Sequence, residues 1–284
     1  MRLLRGCQQI ILHTLSSDFL GRRLCAGVRF RGVVQRVRRR FADLKYAIIS
    51  DVHANIEALE PVLAYADDAG VDQIVCLGDV VGYNATPNEC ADILRERNIL
   101  TIMGNHDAVA CGDEDPWGFN PVAKKAALWT RDQLSAENIR WIKSLPDHLC
   151  FGDFATVHGA PKSHNTYLFS WRDIIPHLYY LEEQNCRICF MGHTHTPGIF
   201  SVDGMYTIDE DFRFSLGMEK VFFINPGSVG QPRDGDARAA FAIMDTETNI
   251  YEQVRLKYAV EQAAQRVRDA QLPEFLADRL AAGR

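Results

Sequence analysis

The chain has 284 residues, 47% of them hydrophobic, and a formal net charge of −6. That is enough for one large domain with a substantial core. The acidic balance speaks against avid nucleic-acid binding, which needs clustered Lys and Arg, and no apolar run reaches the ~18 residues of a membrane span.

Charge is unevenly spread: residues 1–43 hold ten arginines against Asp18 and Asp43, leaving 21 basic and 35 acidic residues for the rest. This basic extension has no clean strand or helix period and is expected to be disordered or loosely packed. A translation start placed too far upstream ranks first as its origin, since Leu44 to Asp51 reads as a natural opening strand. An organellar transit peptide ranks second and a basic arm third. The domain proper is therefore expected over residues 44–284, in the cytoplasm, or in an organelle if the extension is a transit peptide.

Within that span Tyr46–Ser50 predicts a strand, and Asn55 caps a helix with apolar Ile56, Leu59 and Leu63, irregular at its start because of Pro61. Gln73–Leu77 predicts a strand, Pro87 opens a helix to about Arg97, and Ile99–Met103 predicts a third strand. Such strand–helix alternation implies an α/β fold with parallel pairing. Helices follow at Pro121–Leu134 and Ala136–Ser144, with Trp129 and Trp141 as core anchors, then a strand at Phe154–Val157 and a helix at Trp171–Gln184. Cys186 and Cys189 have C-x-x-C spacing, but no second pair exists and none of the eight cysteines suggests a disulfide framework, which favours a reducing compartment. Strands are predicted at Arg187–Met191, Gly198–Val202, Met205–Ile208, Val221–Ile224, Ala240–Asp245 and Ile250–Arg255, before a helical tail from Ala259 to Ala282 broken near Pro273.

Five segments carry the chemistry: Asp51-Val52-His53, Gly78-Asp79, Gly104-Asn105-His106-Asp107, His158-Gly159 and Gly192-His193-Thr194-His195. Each stands at the carboxyl end of an apolar strand, where ligands bind in open α/β sheets. If extended geometry persists, Asp51 and His53 point the same way, as do His193 and His195. Hard oxygens plus imidazoles suit Mn, Fe, Zn, Ni or Co. Asp79 stands alone at its strand end and is expected to bridge two ions through both carboxylate oxygens. Two such ions ~3.5–4 Å apart clamp a phosphate and activate a bridging water for in-line attack. Asp-Val-His or Gly-Asp alone means little; the five together, in order, are specific.

These segments resemble the calcineurin-like metallophosphoesterase superfamily, with its D-x-H, G-D, G-N-H-[DE], H-G and G-H-x-H motifs, over about residues 45–256. The resemblance implies a four-layer α/β/β/α sandwich of two mixed β-sheets flanked by helices, with a binuclear metal centre. One metal takes Asp51, His53, Asp79 and His195; the second takes Asp79, Asn105, His158 and His193. His106 is then the non-ligand that stabilises the transition state or protonates the leaving group, and Asp107 orients its neighbours. Phosphoprotein and dinucleotide-polyphosphate enzymes of this superfamily carry an Arg where this chain has Tyr83, and the protein phosphatases carry an Asp where it has Gly82. The chain is instead similar to the small bacterial and archaeal phosphodiesterase branch, including its Asn225–Arg233 segment. In that segment Asn225 and Ser228 are expected to support the ligands, and Arg233 is a candidate contact to substrate phosphate.

The expected function is hydrolysis of a small-molecule phosphoester or nucleotide with two divalent ions, manganese among the candidates, by attack of a metal-bridging hydroxide. A phosphomonoesterase or phosphoprotein phosphatase, and a catalytically idle scaffold, are the alternatives. Specificity is expected in the loops at 108–120 and 160–170, which carry no readable code, and neither a membrane nor a stable nucleic-acid partner is expected.

Overall fold

The computed structural model describes residues 44–206, 208 and 212–284. The expectations for the basic extension lie outside these residues. β1 (Lys45–Ile49), β2 (Gln73–Cys76) and β3 (Leu100–Thr101) run parallel, joined through α1 (Ile56–Asp68) and α2 (Pro87–Glu96). They form half of a six-stranded sheet of order β3-β2-β1-β11-β12-β9, completed by β9 (Arg213–Ser215), β11 (Ala239–Asp245) and β12 (Ile250–Leu256) in antiparallel pairing. The second six-stranded sheet has the order β4-β5-β6-β10-β7-β8. Its strands are β4 (Leu149–Phe151), β5 (Phe154–Thr156), β6 (Ile188–Phe190), β7 (Gly198–Ser201), β8 (Gly204–Tyr206) and β10 (Phe222–Asn225), with β5, β6 and β10 parallel.

The strand period of two sorts each side chain to one of two cores. Tyr46 and Ile48 of β1, Val75 of β2, Ile188 and Phe190 of β6, Phe222 and Ile224 of β10, and Ala242 and Met244 of β11 all enter the core between the sheets. Their neighbours Ala47, Ile49, Ile74, Cys76, Phe241 and Ile243 face outward against α1 and α2. On the other side Ala155, Cys189 and Phe223 pack against Ile174, Tyr180 and Leu181. Each such buried large side chain contributes about 1.5–3 kcal/mol. The result is the four-layer α/β/β/α sandwich that the motifs implied.

Several local readings differ. α1 runs unbroken through Pro61, with Asn55 accepting from the Ala58 amide at 3.2 Å. The helix expected at Trp171–Gln184 is three pieces, α6 (Trp171–Ile174), a 3₁₀ turn (Ile175–His177) and α7 (Leu178–Gln184), because Pro176 removes a helical donor. β4 and β9, three residues each, were not foreseen. α3 (Asn105–Cys111) was not foreseen either, so Asn105, His106 and Asp107 stand in a helix's first turn rather than a loop. α4 (Pro121–Gln133) and α5 (Ala136–Lys143) follow as expected. The two tryptophans there are only half-buried. The tail forms α8 (Val260–Asp269) and α9 (Glu274–Ala282), whose Val267, Leu276 and Leu280 pack in one cluster with Tyr83. Among the described residues no helix is long and apolar enough to cross a membrane.

Candidate metal centre

Six parallel strands, three in each sheet, deliver the motif residues at their carboxyl ends. Asp51 follows β1, Asp79 follows β2, Asn105 follows β3, His158 follows β5, His193 follows β6, and the Asn225–Arg233 loop follows β10. All are buried.

The convergence does not come from extended strand alternation. Asp51, His53, Asp79, His193 and His195 have φ of 52°, 48°, 51°, 68° and 59°. Left-handed backbone at five non-glycine residues is strained, and strain of this kind clusters where function requires it. The loops lie so close together that a Cβ on Gly104 would overlap the Asp79 carboxylate.

Asp51, His53, Asp79 and His195 offer ligand atoms within 4.8 Å of one another, and Asp79, His158 and His193 form a second such group. His53 Nδ1 lies 3.1 Å from the Val81 carbonyl and His195 Nδ1 2.7 Å from that of Gln231. A carbonyl only accepts, so both Nδ1 atoms carry the proton and both Nε2 atoms present lone pairs. Those Nε2 atoms face each other at 3.0 Å, with Asp51 Oδ1 3.2 Å from that of His195. Such a cluster of acceptors is unfavourable unless a cation lies among them.

The second group repeats the pattern. His158 Nδ1 donates to the Leu77 carbonyl at 2.8 Å, while its Nε2 meets Asn105 Oδ1 at 3.1 Å and Asp79 Oδ2 at 3.3 Å. Burial alone would depress His158, but the charge of the adjacent Asp79 carboxylate overcomes it and lifts the imidazole to about 9. Burial pushes His193 down to about 3, helped by the neighbouring His158, and its Nε2 has no hydrogen-bond partner. Asp79 is held well below the usual carboxylate range, the charges of His158 and His106 outweighing burial.

The two Asp79 oxygens have different surroundings. Asp79 Oδ1 accepts the His106 amide at 2.8 Å, leaving Oδ2, without a hydrogen-bond partner, to face His53 Nε2 at 3.5 Å and His158 Nε2 at 3.3 Å. A single oxygen therefore addresses both groups.

Asn225 Nδ2 holds the Gly192 carbonyl at 2.7 Å and Thr194 Oγ1 at 2.9 Å, bracing the His193–His195 turn. Ser228 Oγ donates to the Asp51 carbonyl at 2.8 Å. The Asp107 carboxylate accepts the Val81 and Gly104 amides at 3.1 and 3.0 Å, tying two motif loops together; burial and the charge of Asp79 push it up to about 7. Arg233 donates to Gln231 Oε1 at 2.9 Å and stands 5.5 Å from the Tyr83 ring centroid.

His106 sits among the rings of Tyr83, Phe119 and His53 at 4.3, 4.6 and 4.9 Å. Burial, with Arg233 adding to it, pushes the imidazole down to about 4, so it is neutral at pH 7. Its Nδ1 is unpartnered, and a Cβ on Gly82, whose φ is +94°, would lie 2.5 Å from that atom.

Motif reading missed Ser50, whose Oγ donates to Asp51 Oδ2 at 2.6 Å, and the carbonyls of Leu77, Val81 and Gln231, which carry no side-chain signal. It also missed Glu114, which joins His164 at 2.8 Å and Asn165 at 3.3 Å. These three residues line a cavity of 610 Å³ that reaches His158.

Residues 44–249 match the profile of the calcineurin-like phosphoesterase superfamily domain. The chain is 36% identical over 242 residues to an uncharacterised protein of Methanocaldococcus jannaschii, covering 84% of this chain and 98% of that one. A metallophosphoesterase crystal structure from Sphaerobacter thermophilus superposes with a TM-score of 0.75 at 38% identity, over 85% of this chain and 99% of that one. A hypothetical protein of Pyrococcus horikoshii superposes with a TM-score of 0.69 at 18% identity, over 84% and 98% of the two chains.

Proposed function

The chain belongs to the calcineurin-like phosphoesterase superfamily, and from that premise we propose that it is a phosphodiesterase using two divalent metal ions. The facing Nε2 lone pairs of His53 and His195, 3.0 Å apart with both Nδ1 protons committed to carbonyls, carry this reading. The donor set fits Mn, Fe, Zn, Ni or Co. Asp51, His53, Asp79 and His195 would hold one ion; Asp79, Asn105, His158 and His193 the other. When bound, such ions supply Lewis acidity toward a phosphoryl oxygen and lower the pKa of water.

The chain's own residues do the rest. Val81, Leu77 and Gln231 fix the imidazole tautomers through their carbonyls. The neutral His106 donates a hydrogen bond toward charge developing on the phosphoryl group. Arg233 is placed beside Tyr83 to meet a non-bridging phosphate oxygen. Arg233→Ala is expected to raise KM about tenfold with kcat little changed; an unchanged kcat/KM on every ester tried would remove Arg233 from the site.

A diester carries one negative charge, which suits a site whose Tyr83 and Gly82 stand where a guanidinium and a carboxylate serve phosphatases. Arg233 itself favours a second reading, a monoesterase with its phosphate clamp rebuilt from the other end of the chain. Metal analysis with paired rate measurements separates the readings. Two ions per chain and a kcat/KM on bis(p-nitrophenyl) phosphate at least tenfold above that on p-nitrophenyl phosphate are expected. The opposite ranking selects the monoesterase, and metal without turnover on any ester selects an idle scaffold.

A further inference from the structure

The two loops for which the sequence offers no specificity code present aromatic rings to the metal centre. Phe119, in the loop after α3, lies 4.6 Å from His106. Tyr167, in the loop before α6, stacks on His193 at 3.9 Å with an interplanar angle of 22°. Phe169 stacks in turn on Tyr167 at 5.4 Å and 8°.

This is a built ledge. Between the rings Leu168 is 2% exposed and packs in the outer core of the second sheet, so alternation puts Tyr167 and Phe169 on the same, outward side. Upstream, Ser163 Oγ and Thr166 Oγ1 are hydrogen-bonded at 2.8 Å, and His164 and Asn165 reach across to Glu114 in the Phe119 loop. Downstream, the Phe169 amide donates to Asp173 Oδ2 at 3.0 Å, within the capping box of α6. Both loops are thus fixed relative to each other and to the metal centre. Yet Tyr167 is 45% and Phe169 58% exposed. Two parallel rings held in water beside a metal-group histidine form an unfilled stacking surface.

We infer that the Tyr167–Phe169 ledge binds the planar aromatic ring of a nucleotide ester whose phosphate lies at the metal centre. This rests on the phosphoesterase reading and adds the substrate class to it. Ring-on-ring stacking tolerates any base, because every base has a π-face, so the ledge selects for a nucleotide without selecting which one.

Calorimetric titration of the manganese-loaded full-length protein with AMP and with ribose 5-phosphate, which lacks only the base, tests this. AMP is expected to bind at least about tenfold more tightly, what stacking one base on one ring is worth. Phe169→Leu should abolish that advantage while leaving ribose 5-phosphate affinity and manganese content unchanged, and Phe169→Trp should restore it. Equal affinities in the wild type, or an advantage that survives Phe169→Leu, overturn the ledge and leave the phosphoesterase reading standing. If neither compound binds and no ester is hydrolysed, the phosphoesterase reading fails and the ledge falls with it.

Discussion

Asp79→Asn is expected to lower kcat/KM by about 10³-fold or more and to reduce the metal content from two ions per chain to one or none. The rate loss follows from charge stabilisation by bound ions, worth several kcal/mol, at 1.36 kcal/mol per tenfold. The metal loss follows from geometry. Asp79 Oδ2 has no hydrogen-bond partner and lies 3.5 Å from His53 Nε2 and 3.3 Å from His158 Nε2, so it alone serves both groups. Asparagine keeps the shape, and its oxygen still accepts the His106 amide that now bonds Oδ1 at 2.8 Å. The amide nitrogen then takes the place of Oδ2, so a neutral donor replaces the charge that faces His53 and His158. Without metal, the variant should melt lower than the wild type, because it removes the charge that partners the buried His158 imidazole. With manganese, the wild type should gain far more in Tm, since an ion that binds only the folded state stabilises it by mass action. Elemental analysis and thermal melts with and without manganese read both effects. Retention of two ions, or activity within tenfold of wild type, would falsify the assignment of Asp79 as the shared ligand.

The same residue shows what sequence could and could not reveal. That Asp79 belongs with His53 and His158 was legible, because each follows an apolar run that had to be a strand, and strand ends converge. Which oxygen of Asp79 does the sharing was not, because that depends on the amide of His106 at the start of α3, a helix whose seven residues are too short to show a period. The pairing of Asp51 with His53 was read for an incomplete reason: both residues leave the β region altogether, and left-handed backbone at Asp or His has no composition signal. The tautomer-fixing carbonyls lie at Leu77, Val81 and Gln231, positions where the side chain is irrelevant to the contact. Tyr167 and Phe169 were hidden for a different reason. An irregular segment has no period to tell which of Tyr167, Leu168 and Phe169 is buried, and only the burial of Leu168 reveals that the rings point out.

His106→Ala should keep both ions and yet lose about 10²–10³ in kcat, the usual cost of removing one hydrogen-bond donor aimed at developing charge. Metal retention follows because the contact that orients Asp79 comes from the His106 backbone amide, which alanine preserves. The side chain itself touches Tyr83, Phe119 and His53 and takes no part in either ligand group. Two roles remain for the ring, and leaving-group dependence separates them. A proton donor matters little for p-nitrophenolate, which leaves unaided, and greatly for an alkoxide, so its loss would produce a defect that grows with leaving-group pKa. A neutral imidazole that only donates a hydrogen bond to the phosphoryl oxygens produces the same defect for both. Burial, with Arg233 adding to it, holds His106 near 4, well below neutral, and no carboxylate partners its Nδ1 to raise it. The uniform defect is therefore expected, and His106→Asn, which keeps a donor, should recover part of the lost rate. A defect at least tenfold larger for an alkyl than for a p-nitrophenyl diester would assign the ring to proton transfer instead. Nor is the phosphatase arrangement one substitution away. A Cβ at Gly82 would stand 2.5 Å from Nδ1 on backbone at φ +94°, so Gly82→Asp would displace the imidazole it was meant to partner.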